Sequence, residues 1–373
     1  MRDNRKMQNP GSILIVKLSA IGDVVHSLPV LEVLKKNFPR ARIDWLIEED
    51  AYKIVEGHPA IDNVIVSRRK SWQKAFLGGG KWKSALREIV QFANDVRSWK
   101  YDLVIDLHGL FKSGILTGLS RGKRKIGMSG ATEGGWLFYN ERPIPVDYNQ
   151  HAIDRYLKVP EYLKCGFNNS WKGDIPIFES DRRKVNQLLD NDEFKESPLV
   201  AVNPVAKWKT KLWRTDCFAA LADRLRNDLS CRIVFTGSKD DRAIIEDILS
   251  MMQTRAINLA GLTTLKELAY LYTRCKTLVT TDTGPMHIAV AMGCRVVALF
   301  GPTDPCRTGP YGGGNEVIRA DVDCSPCFKK RCGHMTCMKD ITVEMVFDAV
   351  KKICSRSQAQ GSPKIQTVNP NVA

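Results

Sequence analysis

Two consecutive α/β domains, each a parallel sheet wound with helices, are predicted by three features of this 373-residue sequence. Short apolar runs alternate with helical spacing from Ile13 to Gly127, and again from Leu199 to Phe300. A polar, loop-rich stretch from Cys165 to Pro198 separates the two series. Polar and charged residues gather where strands give way to helices, the edge at which such sheets bind ligands.

The elements follow in order. Ile13–Lys17 reads as a buried strand that ends in Leu18-Ser19-Ala20-Ile21-Gly22-Asp23, and Val24, Leu28, Leu31 and Leu34 mark one face of the next helix. Pro39 closes that helix. Arg42–Ile47 is the second strand, Glu49–Glu56 a short helix and Val64–Val66 the third strand. Lys83–Trp99 has helical spacing, Leu103–Leu107 is a fourth strand, Lys112–Leu119 a helix and Arg124–Gly127 a fifth strand. His151–Leu163 and Arg182–Leu189 are further helices. Second-domain strands are Leu199–Asn203, Arg232–Thr236, Ala256–Leu259, Thr277–Thr280 and Val296–Phe300; its helices are Cys217–Leu229, Arg242–Met251, Leu265–Thr273, Pro285–Met292 and Val343–Ile353. The expected division is a disordered 1–10, a first domain over 11–170, a second over 171–355 and a disordered tail over 356–373.

Composition narrows the class. With 43% hydrophobic and 26% charged residues the chain reads as an ordinary globular protein. No apolar run is long enough to span a bilayer and no signal-peptide pattern opens the sequence, so the eleven cysteines, an odd number, are expected as reduced thiols in a cytosol. A net charge of +15 implies an anionic partner: nucleic acid, an acidic membrane or a phosphorylated substrate. Much of it lies between Arg68 and Lys100, with a second cluster at Arg121, Lys123, Arg124 and Lys125. There is no G-x-G-x-x-G after the first strand, no phosphate loop of the G-x-x-x-x-G-K type, no G-x-S-x-G elbow and no H-E-x-x-H.

Candidate chemistry sits at strand ends. Thr280–His287, Thr-Thr-Asp-Thr-Gly-Pro-Met-His, reads as strand, loop and helix start, with Pro285 in the first turn; Thr281, Asp282, Thr283 and Gly284 form either a capped turn or an anion site. Asp23 is either a helix cap or a general base. Lys207, Lys209 and Lys211 offer a cation to a diphosphate or a solvated basic turn. Gly237-Ser238-Lys239-Asp240-Asp241 closes a strand with acids suited to ribose hydroxyls.

Ile13–Pro29, Ile43–Glu49, Asp106-Leu107-His108-Gly109-Leu110-Phe111-Lys112-Ser113, Asp282–His287 and Phe300–Pro305 resemble, in order, the blocks of the lipopolysaccharide heptosyltransferases, glycosyltransferase family 9, with the first-domain blocks most like the type I enzyme. The resemblance implies a GT-B fold, two Rossmann-like domains facing across a cleft. It also implies inverting transfer of heptose from ADP-heptose to the Kdo of a Kdo-lipid A type acceptor, without a cofactor or catalytic metal. By the same resemblance Asp23 is the base, and Lys211, Asp240, Asp282, Thr283, Gly284 and His287 bind the donor. Arg68, Arg69, Lys70 and Lys112 are expected on the acceptor side, Trp72, Phe76 and Trp82 interleave with cations there, and Gly78-Gly79-Gly80 is expected to make the segment flexible. The protein is then expected in the cytoplasm, peripheral on the anionic inner membrane of a Gram-negative cell, with no nucleic acid. A transferase adding a later heptose or another sugar, and a basic nucleic-acid binder, are the alternatives. Two departures stand out: His108 replaces the usual Gln, and Arg214 stands where Pro is expected. Gly301–Pro305 is read as shaping a loop.

Cys324-x2-Cys327-x4-Cys332-x4-Cys337 has the spacing of a compact zinc knuckle, with His334 as a substitute ligand. Reduced thiols packing a loop is the reading preferred over a structural zinc.

Overall fold

A lysine directly follows the first strand of this protein, and the five strand residues before it explain why it is buried. β1 (Ser12–Val16) lies in the middle of a sheet with every residue buried, as a central parallel strand requires. The structure is a computed structural model describing residues 9–78, 82–130, 133–166, 173–190 and 197–355. The expectations for residues 1–8, for the tail from 356 and for Gly79 and Gly80 lie outside these residues. The chain divides into two compact units, Met1–Tyr148 with Ala152–Trp171 and Asn149–His151 with Lys172–Ala373.

The first unit continues through α1 (Ile21–Asn37), β2 (Arg42–Glu48), α2 (Tyr52–Val55), β3 (Asn63–Ser67), α3 (Arg69–Leu77), α4 (Trp82–Arg97), β4 (Lys100–Asp106), α5 (Phe111–Leu119), β5 (Arg121–Gly127) and α6 (Ala152–Tyr162). Its five strands are parallel in the order β3-β2-β1-β4-β5, with Ile13 opposite both Ile43 and Leu103. The order reverses between β1 and β4, so their carboxyl ends form the crevice where a doubly wound sheet binds ligands.

The second unit runs α7 (Glu179–Leu189), β6 (Leu199–Asn203), α8 (Thr215–Leu229), β7 (Arg232–Phe235), α9 (Arg242–Met251), β8 (Ile257–Asn258), α10 (Leu265–Arg274), β9 (Thr277–Thr281), α11 (Gly284–Ala291), β10 (Arg295–Leu299), α12 (Pro305–Thr308), β11 (Glu316–Ile318), α13 (Thr336–Lys339) and α14 (Val343–Ser355). The sheet order is β11-β10-β9-β6-β7-β8, again all parallel, and reverses between β6 and β9. One core face joins Phe218 and Leu225 of α8 and Val350 and Ile353 of α14 to Val202, Phe235 and Val297 of the sheet. No helix of the described residues is long and apolar enough to cross a membrane.

Two expectations need correction. The basic stretch after β3 contains a helix, α3, that the sequence reading did not assign: Trp72 is buried, packs at a tilt against Phe92 of α4 at 5.3 Å between ring centres and donates its Nε1–H to Glu88 at 2.9 Å. The strand expected over Ala256–Leu259 shortens to two residues, Ile257–Asn258: Leu259 still donates its N–H to Phe235 of β7, but its carbonyl accepts the N–H of Leu262 in a turn.

Candidate active site

In the first unit the polar residues converge at the β1/β4 switch point. Lys17 follows β1 directly and is buried; its Nζ donates to the carbonyl of Leu107 at 3.0 Å and to Tyr156 Oη at 2.6 Å, and lies over the Tyr156 ring at 4.6 Å. Burial lowers the Lys17 pKa, against the opposing pull of Asp23 and Asp106. Tyr156, on α6, lies within 3.5 Å of Asp23 Oδ1, and burial followed by the Asp23 charge raises its phenol well above the ordinary value.

Asp23 is not the N-cap of α1. Ala20 takes that position, and Asp23, three residues on, accepts its backbone N–H on Oδ2 at 3.3 Å. One carboxylate oxygen thus closes the helix end, where the dipole favours a negative charge, while the other faces the Tyr156 hydroxyl. On β4, Asp106 is fully buried and accepts the N–H groups of His108 and Gly109 and the hydroxyls of Ser113 and Tyr139. Burial raises its pKa against those four bonds. Those bonds fix the turn that presents His108, both of whose ring nitrogens are buried without a hydrogen-bond partner.

Glu48, the last residue of β2, gathers the basic side chains. Lys112 Nζ reaches its Oε1 at 2.9 Å and Ser19 Oγ at 3.2 Å, and Arg69 Nε reaches the same Oε1 at 3.1 Å. Burial alone would raise the Glu48 pKa; the bonds from Lys112 and Arg69 outweigh it and hold the carboxylate below its usual range. Arg68, the N-cap of α3, lies 3.9 Å from Glu49, and Lys70 pairs with Asp50. The four expected acceptor-side cations therefore share one acidic run, with Lys112 and Arg69 joined to the Asp23 side through Glu48 and Ser19.

In the second unit the β6/β9 switch point carries the other cluster. Asp282, just after β9, is buried; its Oδ2 accepts Lys211 Nζ at 2.5 Å and Thr303 Oγ1 at 2.8 Å. Lys211 lies at the end of a single 3-10 turn, Lys209–Lys211, with its Nζ 4.5 Å from the Trp208 ring centre. Thr303, from the loop read only as shaping, thus touches the expected donor residue. Thr283 is the N-cap of α11, Pro285 stands in its first turn, and His287 is buried one turn on. Asp240 is exposed in the 3-10 turn Lys239–Asp241, and it is Asp241 whose carboxylate caps Ser238 at 2.7 Å. Arg214 is the N-cap of α8 and pairs with Asp216, filling the place where a proline was expected.

Cys324, Cys327, Cys332, Cys337 and His334 line one cavity of about 260 Å³ together with Thr210 and Lys329. Burial raises the Cys337 thiol, with the other three cysteines adding to the shift. Among the described residues no group of three or more His, Cys, Asp or Glu is arranged to hold a metal ion.

Lys17, Tyr156, Glu48 and Thr303 are the residues that sequence reasoning passed over. Lys17 had a signal, a lone cation closing an apolar strand.

The family model for glycosyltransferase family 9 (heptosyltransferase) matches residues 89–337. Lipopolysaccharide heptosyltransferase 1 of Pseudomonas aeruginosa is 30% identical over 345 residues, which cover 88% of this chain and 89% of that protein. A glycosyl transferase family 9 structure from Veillonella parvula is 28% identical with a TM-score of 0.78, covering 92% of this chain and 97% of that one. The Escherichia coli heptosyltransferase WaaC with ADP is 25% identical with a TM-score of 0.70, over 92% of this chain and 99% of that one. The same enzyme with ADP-2-deoxy-2-fluoro heptose gives 25% and 0.66, over 91% and 99%. The paired parallel α/β units match the GT-B architecture of these structures. With a family match across most of the chain and a relative alike over nearly all of it, this protein belongs to glycosyltransferase family 9, the heptosyltransferases, and is a glycosyltransferase.

Proposed function

We propose that the protein transfers L-glycero-D-manno-heptose from ADP-heptose to the Kdo residue of a Kdo-lipid A type acceptor in lipopolysaccharide core synthesis, with Asp23 as general base. The observation that carries this reading is the setting of Asp23, on the first turn of α1 at the β1/β4 switch point, beside the buried Lys17–Tyr156 pair. A carboxylate fixed through one oxygen by the Ala20 N–H leaves the other, held only by a long 3.5 Å bond from the Tyr156 hydroxyl, to take a proton.

In a single displacement, Asp23 accepts the proton of the acceptor hydroxyl as that oxygen bonds to the anomeric carbon. The bond from that carbon to the diphosphate oxygen breaks, and ADP departs with the electron pair, so the anomeric configuration inverts. Lys211 meets the diphosphate charge. Its pairing with Asp282 and its place over Trp208 hold the ammonium in position while leaving further N–H donors for phosphate. Thr283, Gly284 and His287 take the heptose and phosphate end at α11, and Asp240 takes the ribose. Lys112 and Arg69 bring positive charge to an acidic acceptor sugar, with Arg68 and Lys70 at the rim. No metal takes part in this reading. The protein works on the cytoplasmic face of the inner membrane, as a peripheral protein, on a lipid-borne acceptor.

Incubation with ADP-heptose and either Kdo-lipid A or an acceptor already carrying one heptose, read by mass, tests the assignment. One heptose added to the Kdo acceptor is the expected product. Transfer only to the heptosylated acceptor would move the enzyme to a later step, and transfer to neither would overturn the reading.

A further inference from the structure

Helix α3 starts at the Glu48 cluster, through Arg69, and runs nine residues, about 13 Å, away from it. At its far end Phe76 and Leu77 are 50% and 90% exposed. Helix α4 follows, and its outer face repeats the pattern: Trp82, Leu86 and Val90, at steps of four residues, are 49%, 49% and 53% exposed. These side chains are not a misjudged core, because α4 buries a separate set, Ala85, Phe92 and Val96. Scattered exposed apolar residues are ordinary, but five large ones on two consecutive helices that pack on each other call for an occupant.

Charge identifies the occupant. Lys74, Lys83 and Arg87 are exposed on the same two helices, and the Lys83 ammonium lies 5.5 Å from the Trp82 ring centre. Glu88, the one acid on this part of α4, is engaged by Trp72. Long cationic side chains flanking Trp, Phe and Leu are the composition of a helix that lies in a lipid interface, with the apolar groups in the acyl boundary and the ammonium and guanidinium groups at anionic headgroups. A second copy of the chain is a poorer occupant, since a two-fold contact would set the same cations against one another.

We propose that the outer face of α3 and α4, carrying Phe76, Leu77, Trp82, Leu86 and Val90 amid Lys74, Lys83 and Arg87, docks on an anionic bilayer. The docking sets the Arg69 end of α3, and with it the Glu48–Lys112 cluster, beside the headgroup of a membrane-borne acceptor. This deepens the proposed function by naming the surface that meets the membrane, and it rests on the transferase reading for the acceptor.

The test is co-sedimentation of the full chain with phosphatidylglycerol-containing vesicles and with phosphatidylcholine vesicles, at low and high salt. The wild type is expected on anionic vesicles only, with weaker binding at high salt. Leu77→Glu/Leu86→Glu should lower that binding by about tenfold or more, since each exchange trades buried apolar area for a charge facing anionic lipid. Its circular dichroism and its turnover of a short-chain soluble acceptor should stay as in the wild type. Absence of wild-type binding, equal binding by the variant, or self-association in sedimentation velocity that the double exchange abolishes would each overturn the proposal. Wild-type vesicle binding without turnover of the soluble acceptor would instead count against the transferase reading and leave the docking face standing.

Discussion

At His108 the protein leaves two polar atoms buried and unanswered, which is costly unless a ligand answers them. Burial, then the charges of Lys17 and Lys112, lower the pKa of the ring to about 3, so it is a neutral imidazole at physiological pH, on the proposed acceptor side. A neutral ring both donates and accepts, as does the amide of Gln. Steady-state kinetics with varied acceptor should therefore show His108→Gln within about threefold of the wild-type KM, and His108→Leu raised by about tenfold, the worth of one hydrogen bond. Donor KM should not move in either; equal acceptor KM in all three proteins would contradict the role. Asp282 makes a second residue-scale case. Its buried pair with Lys211 implies that Asp282→Asn leaves a lysine without its counter-charge, lowering stability in urea by about 3 kcal/mol and raising donor KM. Unchanged stability and donor KM would show that the pair does neither job. Asp23 and Asp282 were legible as candidates in the sequence because each lies in the segment between an apolar strand and the helix that follows it, Asp282 directly after β9 and Asp23 in the first turn of α1. Tyr156 was not: it reaches Asp23 across 133 residues, and no local pattern records such an approach.

Among the elements, the buried strands were easiest to read, because β1 and β6 are uninterrupted apolar runs that only a sheet interior accommodates. Helix α3 was hidden for the opposite reason. Its single buried anchor, Trp72, sits among cations, so the segment reads as a charge run until Phe92 is seen to pack on it. β11 escaped notice because its three residues are not fully buried and depend on pairing with β10 rather than on their own pattern. The turn between α2 and β3 carries a pH-dependent contribution. His58 is buried there, its Nδ1 accepts the N–H of Ala60 at 3.1 Å, and burial lowers its pKa to about 4. The unfolded chain, with an ordinary histidine near 6.5, binds the proton more readily than the folded one. The stability is thus complete above about pH 6.5 and falls as pH drops toward 4, by at most about 1.4 kcal/mol per pH unit. His108 acts in the same direction. Urea unfolding from pH 7 to 4.5 should show a shallower decline in His58→Asn than in the wild type; an identical slope would contradict the assignment.

Across the whole molecule, the two units repeat one device. Each sheet reverses its strand order beside its first strand, and each collects a carboxylate and a lysine at that reversal: Asp23 with Lys17 through Tyr156, and Asp282 with Lys211 directly. That repetition was legible in outline, since strand and helix alternate twice along the sequence. The partners inside each cluster were not, because they are brought together by sheet order, which a linear pattern does not state. The difference between the clusters fits their proposed tasks. Asp282 accepts two short bonds on one oxygen and holds a cation, whereas the Asp23 oxygen proposed to take the proton has only a long 3.5 Å bond from a hydroxyl. The most direct measurement compares wild type and Asp23→Asn for heptose transfer from ADP-heptose to Kdo-lipid A, with ADP binding followed by thermal shift. The account predicts product from the wild type, a fall of about a thousandfold or more in the variant, and an equal ADP-induced shift in both. Transfer by Asp23→Asn at the wild-type rate would contradict it.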